Sequence, residues 1–479
     1  MRYRRNAWPA VLAALLCCFT GYAPAQDTIS RLPQPVAQAL AQAGIADGSV
    51  GIFVQDVQSA RPVLAMGEER ALNPASTIKL LTTFAALDQL GPAYQWTTEI
   101  YTDGALQGDV LNGNLILKGS GDPRLTLENF WLMLRNLRAR GVREIRGDLV
   151  LDRSYFTRED ADSAGFDNEP TRPYNTPPDA LLVNFKALRL QFIPDPERRT
   201  VKIVAEPALP QIQVLNNITL DNEPCGDWVN RLKLTALGDG ASARLLFSGS
   251  YSTACREKER HYSVLGHAQY VHGLFTLLWR ELGGTFTGGV RDADTPAGAR
   301  LLLAHQTQSL AEIVRDINKF SNNVMARQLF LALGAITLGA PASAGKSARS
   351  VAHWLAARRL AFPELTLENG SGLSRVERIS AKNLGQLLLV AHRSAVMPEF
   401  IASLPLVAVD GTMKKRLAGA DVAGQAHIKT GTLSGVRAIA GYVLDTKGRT
   451  MIVVCIINHP RAADATATQD ALLRWVYAR

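Results

Sequence analysis

The chain has 479 residues, 47% of them hydrophobic, with a mean hydropathy of zero. That excludes a disordered polar chain and a multi-span membrane protein, and the length asks for more than one core. The formal charge of +9 comes from Lys and Arg scattered along the chain without blocks or interleaved aromatics, which excludes nucleic-acid binding as the main task. The eight histidines show no His-Glu-x-x-His or comparable ligand spacing, so no metal and no cofactor is expected.

In chain order, Arg2, Arg4 and Arg5 precede an apolar run at residues 10–19, and Ala23-Pro24-Ala25 has the small-x-small form of a cleavage site. Residues 1–25 therefore read as a signal peptide, which makes the mature protein periplasmic with a charge of +6. The apolar run is short for a membrane span, and Leu16 rather than a small residue precedes Cys17, so no stable membrane anchor is expected. After a helical stretch, residues 49–57 and 61–66 read as a hairpin, and residues 76–90 as a helix stopped by Gly91-Pro92. Residues 96–289 have the texture of short strands and turns. Ser309 and Glu312 form a capping-box pattern that opens a helix to about residue 320, and a second helix follows at 323–333. Strands at 426–430, 437–444 and 450–457 and a helix at 464–477 close the chain.

Strands at both ends with helices between them predict a mixed α/β (α+β) multidomain protein. One antiparallel sheet flanked by helices is built from residues 26–95 and 295–479. A β-rich insertion, residues 96–294, has room for two smaller units. Of the three cysteines left after leader removal, Cys455 lies in a strand-like apolar run where a thiol packs as a small hydrophobe. Cys225 and Cys255 sit in turn-rich surroundings of an exported chain and are paired as a disulfide.

A serine hydroxyl is a weak nucleophile without a base in reach. Ser76 and Lys79 are three residues apart at a helix start, so they share a face, and a desolvated lysine among other cations gives up its proton readily. Ser343 and Lys346 repeat the spacing in an Ala/Gly-rich stretch where no well-formed helix is expected, and are read as coincidence. Ser321-Asn322-Asn323 alone reads as an interhelical turn, and Lys429-Thr430-Gly431-Thr432 alone as a strand entering a bend. His427 shares the Lys429 face of that strand and reads as a packed or solvated histidine. The order and company of the three elements change this. Ser-x-x-Lys, then Ser-x-Asn, then Lys-Thr-Gly on a strand resembles the penicillin-binding protein and serine β-lactamase superfamily.

The long gap between Ser76 and Ser321 is similar to the D-Ala-D-Ala carboxypeptidase/endopeptidase family with its inserted region. So are Gly119-Ser120-Gly121-Asp122-Pro123, Asn369-Gly370-Ser371-Gly372-Leu373-Ser374-Arg375 and Asp410-Gly411-Thr412. The resemblance implies Ser76 as nucleophile, Lys79 as base, Ser321 as proton relay and Asn323 as holder of Lys79 and the substrate amide. It also implies Lys429, Thr430, Gly431 and Thr432 as the substrate-binding strand, with the oxyanion between the Ser76 and Thr432 N–H groups. Peptidoglycan stem peptides are the implied partners and β-lactam antibiotics the covalent inhibitors. Asn369 departs from the pattern, where an aspartate is expected. No convincing Glu-x-x-x-Asn loop lies between the first two motifs, which argues against a β-lactamase. A non-catalytic cell-wall scaffold would have no use for the intact set of hydroxyls and lysines.

Overall fold

The computed structural model describes residues 31–158 and 165–479; the leader read at residues 1–25 lies outside them. The described chain opens with α1 (Gln34–Gln42), which buries Val36 and Leu40. β1 (Val50–Asp56) and β2 (Leu64–Met66) form the expected antiparallel hairpin, with Val54 opposite Leu64. A 3₁₀ turn, Ala75–Ile78, runs into α2 (Lys79–Leu90), and Gly91 ends that helix at φ 80°, a conformation open to glycine without strain. β3 (Gln95–Thr102) then leads away.

The stretch that follows holds short strands in small sheets, as its turn-rich sequence implies. It also holds two long helices that the sequence reading did not anticipate, α3 (Leu127–Ala139) and α4 (His267–Glu281). Buried Phe130, Met133, Leu134 and Leu137 recur at helical spacing in α3, a signal hidden among dense turn residues. Both helices pack on one core with Ile100 and Leu117, while a separate core around Phe192, Phe247 and Tyr251 serves the strands between residues 188 and 262. A disulfide joins Cys225 to Cys255 at the edge of that second core. With a sequence separation of 30 between the cysteines, its chain-entropy contribution is about 3–4 kcal/mol. A Cys225→Ser/Cys255→Ser variant is therefore expected to unfold at a lower temperature while still being acylated at Ser76. Thermal scans alongside penicillin labelling check both halves of that expectation.

The chain returns through β4 (Arg300–Ser309), antiparallel to β3. The capping box of Ser309 and Glu312 opens α5 (Leu310–Phe320), and α6 (Asn323–Leu338) runs past the expected end at 333. Next, α7 (Ala344–Ala357) corrects the expectation of no helix at 343–346. Ser343 is its N-cap, accepting from the Lys346 N–H, and alanines propagate the helix. The Lys346 ammonium turns back to the carbonyls of Gly339 and Pro341, away from any role beside Ser343. α8 (Ala381–His392) precedes β5 (Ala426–Leu433), β6 (Val436–Leu444) and β7 (Thr450–Asn458), and α9 (Thr466–Tyr477) closes the chain.

These last strands join the first two in one antiparallel sheet of order β5-β6-β7-β1-β2. Alternation along β7 explains its unbroken apolar sequence. Ile452, Val454 and Ile456 face a core shared with α2, α5, α6 and α8, while Val453, Cys455 and Ile457 face one shared with α1 and α9. Cys455 is a free, buried thiol. The two ends of the chain thus form one platform, with α2 on one face and β5 at its edge.

Candidate active site

Ser76 is held by a strained turn pinned from three sides. Asn73 Oδ1 accepts from Ala75 N–H at 2.8 Å and Asn73 Nδ2 donates to the Ser374 carbonyl at 2.9 Å. Asn458, at the end of β7, exchanges a pair of hydrogen bonds with the Asn73 backbone at 2.7 and 3.0 Å. Ala75 adopts φ 45°, a left-handed conformation that an alanine keeps only where its surroundings enforce it. Two glycines permit the packing: a Cβ on Gly431 would lie 2.6 Å from the Pro74 oxygen, and one on Gly372 would lie 2.0 Å from the Ala75 oxygen. The glycine of Lys-Thr-Gly is thus explained by β5 running against the turn that carries Ser76.

One turn on, Lys79 is fully buried. Its Nζ donates to Ser76 Oγ at 3.0 Å, to Asn323 Oδ1 at 2.6 Å and to the Ser371 carbonyl. Burial holds its ammonium well below the usual lysine range; Lys429 and Arg327 push the same way, and Glu377 opposes them. Asn323 is the first residue of α6, set there by Asn322, whose side chain caps the helix by accepting from Met325 N–H at 3.0 Å. Ser321 ends α5 at φ 55° and ψ 38°, and this left-handed residue lets two helices meet at the site.

From β5, the buried Lys429 ammonium donates to Ser321 Oγ at 2.8 Å and to the Thr430 carbonyl at 2.8 Å. Thr430 Oγ1 donates to Thr412 Oγ1 at 2.9 Å. The groups converge on a cleft of about 420 Å³ lined by Ser76, Ser321, Asn323, Thr430, Gly431 and Thr432. Of the residues expected from sequence, Lys79 and Lys429 lie behind that lining, each bonded to the hydroxyl in front of it. His427 is half-buried, outside the cleft lining, and is pushed below its usual range, first by burial and then by Lys319. Among the described residues no cluster of potential ligands could hold a metal ion.

Thr412, expected from sequence only as part of a resemblance motif, enters the cleft from a turn that Asp410 locks to Lys319 at 2.6 Å. Three further contributors were given no role by the sequence reading. Arg437, opposite Thr432 on β6, also lines the cleft and, among the described residues, donates only to the Val436 carbonyl. Ser371 contributes a backbone carbonyl, which no sequence pattern can mark, and Glu377 lies buried behind it.

Burial pulls the Lys429 ammonium down to about 7. In the unfolded chain it titrates near its ordinary 10.5, so between about 7 and 10.5 the unfolded state binds more protons and stability rises with pH. Below about 7 the folded protein carries the whole penalty of a buried cation. Lys429→Met is therefore expected to raise Tm relative to the parent by more at pH 7 than at pH 10, readable by thermal scans. A constant difference across that window would contradict the burial argument.

A model of the D-Ala-D-Ala carboxypeptidase 3 (S13) family matches residues 32–478. The D-alanyl-D-alanine carboxypeptidase DacB of Haemophilus influenzae is 26% identical over 412 residues, 86% of this chain and 85% of that protein. The D-alanyl-D-alanine carboxypeptidase of an Actinomadura species is 29% identical over 455 residues, 89% of this chain and 81% of that one. The crystal structure of penicillin binding protein 4 from Haemophilus influenzae matches with a TM-score of 0.78 at 25% identity, covering 93% of this chain and 99% of that one.

Proposed function

Because the chain belongs to the D-Ala-D-Ala carboxypeptidase 3 (S13) family, we propose that Ser76 is the nucleophile of its serine carboxypeptidase chemistry and that Lys79 is the base. The observation that carries this is the 3.0 Å contact between Lys79 Nζ and Ser76 Oγ, in a place dry enough to depress the lysine. Neutral Lys79 takes the Ser76 proton as Oγ attacks the carbonyl between the two D-alanines. Ser321, bonded to Lys429, passes a proton to the departing amine, and Asn323 orients Lys79 and the substrate amide. The Ser76 and Thr432 N–H groups hold the oxyanion. Water then attacks the acyl-enzyme and releases the shortened peptide.

β5 is an edge strand, so an extended peptide can pair beside Thr430 and Thr432. The terminal carboxylate meets the Thr430 and Thr432 hydroxyls and Arg437, which has no carboxylate partner among the described residues. Arg416, by contrast, is held by Asp470 at 2.5 Å. An amide joining D-alanine to the side chain of a neighbouring stem presents the same acyl group with a bulkier leaving amine, so the enzyme is also an endopeptidase on cross-links. β-Lactams acylate the same serine. The leader and the Cys225–Cys255 bridge agree with an exported, periplasmic enzyme, and no described helix is long and apolar enough to cross a membrane.

The test is peptide mapping after incubation with penicillin, together with D-alanine release from a stem pentapeptide and cleavage of a cross-linked dimer. A mass adduct on the Ser76 peptide and release of D-alanine are expected. A folded protein with neither overturns the reading, and an intact dimer removes the endopeptidase part.

A further inference from the structure

Glu377 is a fully buried carboxylate that the reaction just described does not use. Its Oε1 accepts from three consecutive backbone N–H groups, those of Glu368 at 3.2 Å, Asn369 at 3.0 Å and Gly370 at 2.9 Å. Its own N–H donates to Ser374 Oγ at 3.0 Å. Oε2 is shut off from solvent with no hydrogen-bond partner among the described residues. A buried oxygen left bare in this way asks for a reason.

The loop that Glu377 gathers reaches α2 with two successive carbonyls. Gly370 accepts from Thr82 Oγ1 at 2.7 Å and Ser371 accepts from Lys79 Nζ. Thr82 and Lys79 are three residues apart on one helix face, so the loop is registered against the face that carries the amine. Asn369, where the resemblance leads one to expect an aspartate, spends its side chain on the loop itself: Nδ2 donates to the Leu373 carbonyl at 2.9 Å and Oδ1 accepts from Ser371 N–H at 3.0 Å. A buried carboxylate stands at 377, behind this loop.

We propose that Glu377 is the positioning residue for Lys79, holding the Ser371 carbonyl against the amine and supplying the negative charge that balances the cations around it. The inference rests on the reading of Lys79 as base. The charged groups facing Lys79 come from three elements: Lys429 from β5, Arg327 from α6 and Glu377 from the loop. Two drive its proton off and one retains it. Burial pushes the Glu377 carboxyl above its usual range, and the three N–H donors on Oε1, with Lys79, pull it back toward the ionised form. Removing that charge makes Lys79 lose its proton at lower pH.

The experiment follows the rate of Ser76 acylation by penicillin, read by intact mass, between about pH 5 and 10. In Glu377→Gln the acid limb is expected about one pH unit below that of the parent. The pair Asn369→Asp/Glu377→Gln, which returns a carboxylate to the loop, moves the limb back. If Glu377→Gln shows no cooperative thermal transition, Asn369→Asp alone decides the matter. It adds a charge to the loop and moves the limb up. A limb that these substitutions leave in place overturns the inference while leaving Lys79 as base. A parent labelled at Ser76 with a flat profile removes the base role itself, and the inference with it.

Discussion

Replacing Ser76 with Ala is expected to lower kcat/KM on a D-Ala-D-Ala peptide by about 10⁴-fold or more and to abolish the penicillin adduct. The hydroxyl is a small part of the fold: Oγ accepts one hydrogen bond, from Lys79, and the turn around it is held by Asn73, Asn458 and Gly372 rather than by its own side chain. Tm should therefore stay close to that of the parent, which separates lost chemistry from lost structure. Lys79→Met removes the base from the same step and is expected to lose a comparable factor. If Ser76 and Lys79 act as a unit, as proposed, the double variant Ser76→Ala/Lys79→Met should be hardly slower than Ser76→Ala alone. Steady-state kinetics of the three variants check this. Losses that multiply would mean that Lys79 does not act through Ser76.

Gly372→Ala should be the most damaging single methyl added near the site. Gly372 sits at φ 80°, and its new Cβ would lie 2.0 Å from the Ala75 oxygen and 2.7 Å from the Ser76 nitrogen. Both atoms are backbone, so the clash cannot be relieved by turning a side chain. The turn must move, and it carries the proposed nucleophile together with the N–H assigned to the oxyanion. A displacement of about 1 Å in a reacting group is worth about 10²-fold in rate, and the loss of acylation should reach at least that. Gly448→Ala is the control. It has a similar φ of 75°, in a surface turn where nothing lies within 4 Å of the added carbon. It should show the backbone strain, about 1–3 kcal/mol, with acylation intact. Stopped-flow labelling and thermal scans on both variants separate strain from displacement. Equal acylation rates would remove the packing argument.

Much of the fold was legible because it rests on local, repeated signals. The β1–β2 hairpin, α2 with its Gly91 stop, the Ser309–Glu312 capping box and the apolar alternation of β5 to β7 each arise within a dozen residues. Side-chain periodicity and cap chemistry act over that range. Helices α3 and α4 are hidden where turn residues crowd their ends, and α7 is hidden by an Ala/Gly composition that argues against a well-formed helix, although its Ser343 cap marks a helix start. The serines, lysines and asparagine of the site were legible as three motifs in order, since the chemistry needs those functional groups and the family resemblance named their company.

Sequence alone, then, determined which residues supply the candidate hydroxyls and amines of the site, and that both chain ends build one sheet. Tertiary structure decided what those groups are worth. The proton affinity of Lys79 depends on burial and on Lys429, Arg327 and Glu377, which arrive from a strand, a helix and a loop up to 350 residues away. The Ser371 carbonyl, the cleft position of Arg437 and the contact of Gly372 with Ala75 have no local signature either. Desolvation and charge act through space, and only the packed chain brings these residues within reach of one another.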